Sequence, residues 1–288
     1  MVSQLLTALL VTWAFAALAY ALGMISRSGA LGGFLVGTTI YASLGPRGFA
    51  VLALFVVGGS LLTRLGYASK ARTGTAQEHG GRRSARNALA NCAVATFCAI
   101  LAATGSEPFI AAFVASLGAA FADTAESEVG QLFSRTPRLI TTLQRVPPGT
   151  DGAISPPGTL AGVGAAGLTA ALGLALGMLE TPAAALFVAT AAFLGTVADS
   201  LIGGLSPRAG NELTNVLCTL VAALLAFTFV YLVWGGGMRS SHHDIRVDYT
   251  LKQAGLADQI PESVAGAEFG GATVSPLRCA GIPTLGRG

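Results

Sequence analysis

The sequence predicts an all-α protein, a polytopic bundle of about eight transmembrane helices. Hydrophobic residues make up 52% of the 288 residues and charged residues only 11%, whereas a soluble domain carries about a quarter charged residues. The mean hydropathy is +0.65, and the apolar stretches are continuous rather than alternating, which argues against an outer-membrane barrel. The net charge of +3 is small and provides no basic stripe for nucleic acid. A soluble enzyme, a disordered chain and a nucleic-acid-binding protein are therefore excluded.

The predicted spans are the apolar stretches that approach the length of about 20 residues needed to cross a bilayer core. In chain order they are Gln4–Ile25, Ala30–Leu44, Phe49–Gly66, Ala88–Ala103, Pro108–Ala122, Gly158–Met178, Pro182–Gly203 and Leu213–Trp234. No Lys or Arg precedes the first stretch, so we interpret it as a retained helix rather than a signal peptide. Residues 1–237 then form the transmembrane domain. Residues 238–288 form a polar tail that we expect to be poorly ordered and dispensable for insertion and activity.

The basic residues are distributed unevenly between the loops. The loops after the first, third, fifth and seventh spans hold ten Lys and Arg residues, whereas the short loops between them hold only Arg47. By the positive-inside rule, the four basic loops face the cytoplasm and the N-terminus lies outside. We therefore expect a multi-pass protein of a bacterial-type inner membrane, with its polar site on the cytoplasmic face.

Two pairs of helices carry similar polar signatures. The fifth and seventh spans close with an aspartate and a hydroxyl residue, at Asp123 and Asp199, and the fourth and eighth open with two asparagines four residues apart, which include Asn91 and Asn215. Residues four apart share one face of a helix. The charge distribution places all four signatures at the cytoplasmic surface, so we expect them to build one polar site. An internal repeat of helix pairs would explain the similarity.

Asp199, Asp123 and Glu126 are the candidate metal ligands. Asp199 follows about 18 nearly uncharged residues, and an ionisable group at membrane depth is costly unless it is paired or functional. Alternatively, each aspartate is a helix-end carboxylate that reaches interfacial water. Asp123 and Glu126 are three residues apart and share a helical face. One surface with the three carboxylates would suit Mg²⁺, which takes oxygen ligands from a few carboxylates and from substrate phosphates.

The loop between the fifth and sixth spans has features of an anion-binding turn. Gly149 and Gly152 would let the backbone approach an anion, and Thr150 and Ser155 offer hydroxyl groups. The next helix begins near Gly158, and helix N-termini favour phosphate. An ordinary Pro/Gly turn between helices would explain the same residues.

Arginines could supply positive charge to a phosphate site. Arg138 lies in the same loop, and Arg82 and Arg83 lie in the basic loop that runs from Lys70 to Arg86. The guanidinium fork is suited to bidentate contacts with phosphate. The simpler interpretation of the basic loop is a positive-inside anchor.

Six stretches together resemble one family of membrane proteins. They are Ser28-Gly-Ala-Leu31, Gly80-Gly-Arg-Arg83, Asp123-Thr-Ala-Glu-Ser-Glu-Val-Gly130, Pro137-Arg-Leu-Ile-Thr141, Pro147-Pro-Gly-Thr-Asp-Gly-Ala-Ile-Ser155 and Gly195-Thr-Val-Ala-Asp-Ser200. Over roughly residues 20–234 the chain is similar to the integral membrane family of unknown function number ninety-two. That family includes the plant chloroplast phytyl-phosphate kinase of tocopherol synthesis and animal transmembrane protein nineteen.

The resemblance implies a kinase that converts a prenyl monophosphate to the diphosphate, with a nucleoside triphosphate, CTP as our choice, as donor. In that scheme Mg²⁺ is held by Asp123, Glu126 and Asp199, phosphates are cradled by Gly149, Thr150, Gly152 and Ser155, the transferring charge is stabilised by Arg82, Arg83 and Arg138, and a phosphate or carboxylate is oriented by Asn91 and Asn215. The chain departs from the family pattern at Asn87, where the family has Gln, and at Cys92, where it has Gly. Helix packing near Asn91, and with it the substrate, can therefore differ.

A transporter or lipid-handling protein without catalysis is the alternative function. An intramembrane Asp199, paired asparagine faces and repeated helices would also serve an ion-coupled carrier. A carrier requires its site near the bilayer midplane, so Asp199 at mid-bilayer and far from Asp123 would favour that alternative. A non-catalytic membrane scaffold, in contrast, would leave the polar groups scattered.

Overall fold

A computed structural model of the protein describes residues 2–206 and 210–233, most of which are helical. The α-helices are α1 (Val2–Ala21), α2 (Arg27–Arg64), α3 (Tyr67–Arg72), α4 (Ala85–Ala102), α5 (Glu107–Phe133), α6 (Pro156–Ala175), α7 (Pro182–Leu205) and α8 (Asn211–Val233). A short 3₁₀ helix spans Glu78–Gly81, and β1 (Arg138–Leu139) pairs with β2 (Ala153–Ile154) in an antiparallel ladder. Among the described helices, all except α3 are long and apolar enough to cross a membrane. The predicted polytopic helix bundle is confirmed, and the predicted tail lies outside the described residues.

The α2 helix contains two of the predicted spans. Gly45 interrupts its helical geometry with φ 65° and ψ −158°, a conformation that is essentially restricted to glycine. The chain folds back at this glycine. The ring centroids of Phe49 and Tyr41 lie 5.8 Å apart, and the Phe49 ring would lie 3.3 Å from a Cβ added at Gly37. In a straight helix, positions 37 and 49 would be about 18 Å apart. Residues 27–44 and 46–64 are therefore two antiparallel halves, as the separate spans predicted.

The α5 helix is the centre of the bundle. Every residue from Ala111 to Ala122 is buried, and the helix packs against α2, α4, α6 and α7. Small residues allow this close packing, as they do in other membrane helices, and Gly118 lies directly against Thr169 and Ala192. The predicted span, Pro108–Ala122, ended too early. The helix continues for eleven residues to Phe133 and carries the predicted acidic residues on this continuation.

Close contacts bring the ends of α7 and α8 together. A Cβ added at Gly195 of α7 would lie 2.6 Å from the carbonyl oxygen of Cys218 in α8, so the two backbones touch at this glycine. Asp199 lies one turn further along α7 and interacts with Thr214 in the first turn of α8. The opening of α8 is thereby held beside the carboxylates at the ends of α5 and α7.

Candidate functional site

A polar pocket opens where the end of α5 meets the first turns of α4 and α8. It encloses about 490 Å³, including its mouth, and is lined by Thr63, Gln77, Gly81, Arg82, Arg83, Asn87, Asn91, Asp123, Thr124, Ser127, Glu128 and Asn215. The structure brings together five of the predicted site residues here: Arg82, Arg83, Asn91, Asp123 and Asn215. Such a set of cations, carboxylates and amides is suited to a strongly charged ligand.

Backbone contacts and nearby glycines position Arg83 inside the protein. Its N–H donates to the carbonyl of Met24 at 3.1 Å, and its carbonyl accepts from the N–H of Ser26 at 2.9 Å. Glycine is needed at position 29, where an added Cβ would lie 2.1 Å from the Arg83 carbonyl oxygen, and Gly59 leaves room for the end of the side chain, since an added Cβ there would lie 2.6 Å from Nη2. These contacts direct the side chain inward, between α2 and α5.

Arg83 is half-buried, and its guanidinium is incompletely hydrogen-bonded. Nη2 donates to the hydroxyl of Thr124 at 3.2 Å, and Cζ lies 4.9 Å from the centroid of the Phe55 ring. The buried Nε has no hydrogen-bond partner. Burial lowers the pKa of Arg83, while the negative groups around it, which include Glu128 and Asp123, raise it. A buried N–H without a hydrogen-bond partner is costly, so this cationic group is suited to an anionic ligand.

The continuation of α5 presents polar groups in two directions. Asp123, Thr124, Ser127 and Glu128 line the pocket. Glu126 instead faces α6, where its carboxylate accepts a hydrogen bond from the hydroxyl of Thr159 at 3.3 Å and where a Cβ added at Gly162 would lie 3.4 Å from its Oε2. Glu126 therefore lies outside the pocket, behind Asp123.

The three predicted metal ligands are neighbours. Asp123 interacts electrostatically with both Asp199 and Glu126, and the buried Oδ1 of Asp199 has no hydrogen-bond partner. Carboxylates that share a partly buried site repel one another unless a proton or a cation is bound between them. These oxygen donors therefore fit Mg²⁺ in kind.

The carboxylates do not form a complete metal cage. Within residues 2–206 and 210–233, no three Asp, Glu, His or Cys side chains are close enough to hold a metal ion together. Mg²⁺ commonly takes only one or two protein carboxylates and completes its shell with phosphates and water. The predicted magnesium site is compatible with that arrangement and stays a prediction.

A buried ion pair lies beside the pocket. Lys70 of α3 is 1% exposed and forms an ion pair with Glu128 of α5, which is 4% exposed. The Lys70 Nζ also donates to the carbonyls of Leu62 at 3.2 Å and Thr63 at 3.0 Å. Sequence reasoning interpreted the loop that begins at Lys70 as a positive-inside anchor or a phosphate clamp, and it did not assign Glu128 to the site. The partners are 58 residues apart in the chain, and no spacing rule connects them.

The two asparagine signatures meet at the pocket wall. Asn91 is 3% exposed, and its amide donates to the carbonyl of Asn87 at 2.9 Å. Asn87 and Asn215 line the same pocket. An exposed salt bridge of 3.5 Å between Arg86 and Glu212 joins the first turns of α4 and α8. Sequence reasoning assigned no role to Asn87, although its spacing from Asn91 was the signal that could have identified it.

The predicted glycine loop is not part of the pocket lining. Gly152 packs on α7, where an added Cβ would lie 2.4 Å from the backbone nitrogen of Gly204, and a Cβ on Gly149 would lie 2.9 Å from Thr75. Both glycines have positive φ, 84° at Gly149 and 75° at Gly152. Gly149 and Gly152 therefore allow the loop to pack closely against its neighbours.

The hydroxyl groups of this loop, and Arg138, also have local partners. The hydroxyl of Thr150 donates to the carbonyl of Pro147 at 2.8 Å, and that of Ser155 accepts from the N–H of Gly158 at 3.3 Å as the N-cap of α6. Arg138 is exposed, and its Nη1 donates to the carbonyl of Leu143 at 2.7 Å. Phosphate contacts by these residues stay a prediction.

Known proteins are similar to the chain over most of its length. The family described as integral membrane protein DUF92 matches residues 10–219, a range that includes every predicted site residue. The chain is 36% identical over 201 residues to an uncharacterized membrane protein of Synechocystis, covering 67% of this chain and 78% of that protein. It is 33% identical over 214 residues to protein VTE6, chloroplastic, of Arabidopsis thaliana, and this match covers 70% of this chain and 64% of that protein. It is 34% identical over 205 residues to an uncharacterized membrane protein of Methanocaldococcus jannaschii, and this match covers 70% of this chain and 84% of that protein. No solved structure matches.

Proposed function

Since this chain belongs to the integral membrane family DUF92, we propose that it is a membrane-embedded prenyl-phosphate kinase. The observation that carries the proposal is the polar pocket, in which the incompletely paired Arg83 and the carboxylate of Asp123 meet. The sequence resemblance to the plant phytyl-phosphate kinase supports the substrate class. A nucleoside triphosphate, for which CTP is our choice, would be the phosphate donor.

The reaction that we propose is a direct phosphoryl transfer. An oxygen of the prenyl monophosphate attacks the γ-phosphorus of the nucleoside triphosphate, the bond from that phosphorus to the β,γ-bridging oxygen breaks, and the nucleoside diphosphate leaves. This chemistry depends on alignment and charge neutralisation more than on a covalent residue. Arg83 would contact phosphate oxygens from within the pocket, and the exposed Arg82 would contact them from its mouth; both residues line the pocket. Asn91 and Asn215 would orient the same phosphates.

The carboxylates have a separate role in the proposal. Asp123 and Asp199, with Glu126 behind them, would hold Mg²⁺, which when bound supplies neutralising charge to the phosphates. The unpartnered Oδ1 of Asp199 supports this role, since it is an oxygen that the protein itself leaves without a hydrogen bond.

The position of Asp199 favours an enzyme over an ion-coupled carrier. Asp199 lies in the last third of α7 and interacts with Asp123 at the same end of the bundle as the pocket. A carrier would need this carboxylate near the middle of the membrane. The polar groups are also gathered in one place, whereas a scaffold would leave them scattered.

We assign the pocket to the cytoplasmic face of a bacterial-type inner membrane. The pocket contains Arg82 and Arg83 of the most basic loop, and the positive-inside rule orients such loops toward the cytoplasm. Nucleoside triphosphates are available on that side.

The proposal is tested with the purified full-length protein in detergent or nanodiscs. The protein is incubated with prenyl monophosphates of several chain lengths and with each of four nucleoside triphosphates labelled at the γ-phosphate, with and without Mg²⁺. We expect the label in a prenyl diphosphate for at least one pair of substrates. A folded protein that leaves every prenyl monophosphate unlabelled would contradict the proposal, and membranes that lack the protein provide the background.

A further inference from the structure

An apolar groove adjoins the polar pocket. It encloses about 610 Å³, including its opening, between α1, the two halves of α2 and the start of α4. Phe15 of α1, Gly33 and Phe55 of α2 and Ala88 of α4 are among the residues that line it. On its other side, α1 exposes large apolar side chains such as Trp13, which would contact lipid in a membrane. The groove therefore lies next to the bilayer.

The groove and the polar pocket share two residues. Arg83 and Asn87 line both cavities, so the two meet at the guanidinium whose Nε has no partner. A ligand that occupies both must carry negative charge at one end and be apolar along the rest.

We propose that this groove binds the isoprenoid tail of a long-chain prenyl monophosphate, with the phosphate held at Arg83. This inference rests on the proposed function and adds to it where the tail binds. The tail would enter from the bilayer beside α1 and pack on the aromatic side chains of the groove. Its phosphate end would then face the polar pocket, where the nucleotide reacts.

A larger side chain at Gly33 tests the groove without a steric clash of its Cβ with the protein. Nothing lies within 4 Å of a Cβ added at Gly33, although this glycine lines the groove. A leucine there would occupy the space proposed for the tail. Gly164 of α6 is the matched control, because it is also helical, also has nothing within 4 Å of an added Cβ, and does not line either cavity.

The probe is a prenyl monophosphate with a diterpenoid chain and a photoreactive diazirine near the end of its tail. It is added without nucleotide to the purified full-length protein, and the cross-linked peptides are identified by mass spectrometry. We expect cross-links on α1 and α2. Gly33→Leu should lower the cross-linking by roughly tenfold, equivalent to lost contact for about two methylene groups, whereas Gly164→Leu should cross-link as the parent does.

Competition against the parent protein gives a measurement that does not depend on any variant. Unlabelled diterpenoid monophosphate should displace the probe at far lower concentration than dimethylallyl monophosphate or phosphatidic acid. Equal competition by these ligands, cross-links confined to α5–α7, or undiminished cross-linking of a folded Gly33→Leu protein would overturn the groove assignment. Because nucleotide is absent, tail binding is measured whether or not transfer occurs. A protein that cross-links as expected but forms no prenyl diphosphate would contradict the kinase and leave the groove intact.

Discussion

Arg83 is the residue at which the two cavities meet, and its side chain lies between α2 and α5. Its side chain contacts Phe55 of α2 and Thr124 of α5, and its backbone is bonded to the segment that precedes α2. A guanidinium that must fit between glycines and an aromatic ring cannot be replaced by a flexible ammonium without losing contacts. Its free Nε lies where we place the phosphate of the substrate.

We predict that Arg83→Lys lowers the rate of phosphoryl transfer by roughly 10²–10³, the scale of one lost electrostatic stabiliser. The lysine keeps the charge but not the planar fork that reaches Thr124 and a phosphate together. Arg72→Gln is the matched control, since Arg72 is exposed and bonds only within its own helix among the interactions described. Initial rates with saturating prenyl monophosphate measure the effect, and an Arg83→Lys protein as fast as the Arg72→Gln protein would exclude a role for the fork.

At the scale of elements, the break in α2 converts one long helix into two antiparallel halves. The turn requires glycine at position 45 because of its positive φ. Steric crowding is not the reason, because nothing lies within 4 Å of a Cβ added there. The hairpin then places Gly29 and Gly59, which are thirty residues apart in sequence, on either side of Arg83.

Gly45→Ala should therefore destabilise the protein through the backbone alone, by about 1–3 kcal/mol. Gly164→Ala, at an open helical position, should be neutral or stabilising by about 0.5–1 kcal/mol. Thermal unfolding in one detergent compares the two variants. If Gly45→Ala melts at the parent temperature, the turn does not require glycine.

The buried Lys70–Glu128 pair fixes α3 against α5. Lys70→Met removes the ion-pair partner of the buried Glu128 carboxylate, and we expect a loss of about 3–5 kcal/mol in the free energy of unfolding. The double variant Lys70→Met with Glu128→Leu removes both charges and should recover most of that loss. Thermal unfolding is again the measurement, and a double variant no more stable than Lys70→Met would show that the pair contributes through contacts other than charge.

The positions of the helices were predictable from the sequence wherever hydropathy marks where a helix begins and ends. The two short spans on either side of Gly45 were correctly separated because Gly-Pro-Arg breaks the apolar run. The end of α5 was missed because the charged stretch from Asp123 to Glu128 predicts the end of an apolar span, whereas Asp123 and Glu128 face a polar pocket and Glu126 faces α6. The ion pair of Lys70 was not predictable from the sequence, since its partner is 58 residues away in the chain.

For the molecule as a whole, the proposed kinase activity requires the pocket to lie on the cytoplasmic side of the membrane. The α3 region and the loop between α4 and α5 should lie on opposite faces, because α4 crosses the membrane between them. Thr73 and Thr104 are exposed positions in these two regions. Cys92, Cys98 and Cys218 are buried, so they interfere little with labelling.

In a Cys279→Ser background, an impermeant maleimide applied to intact cells should label Thr104→Cys and leave Thr73→Cys unlabelled until the membrane is opened. The ten-to-one distribution of basic residues over the short loops is the reason for this expectation. The reverse pattern of labelling would place the pocket outside and separate it from nucleotides.

The most direct test of the central claim measures two quantities on Asp123→Asn and Asp199→Asn: the rate of prenyl diphosphate formation and the melting temperature. Each change keeps the size of the side chain but removes charge that a magnesium–nucleotide complex needs. We predict a fall in rate of about a hundredfold or more with the melting temperature retained, since relieving carboxylate repulsion does not weaken the fold. Variants that form prenyl diphosphate at the parent rate, or that lose only stability, would contradict the account.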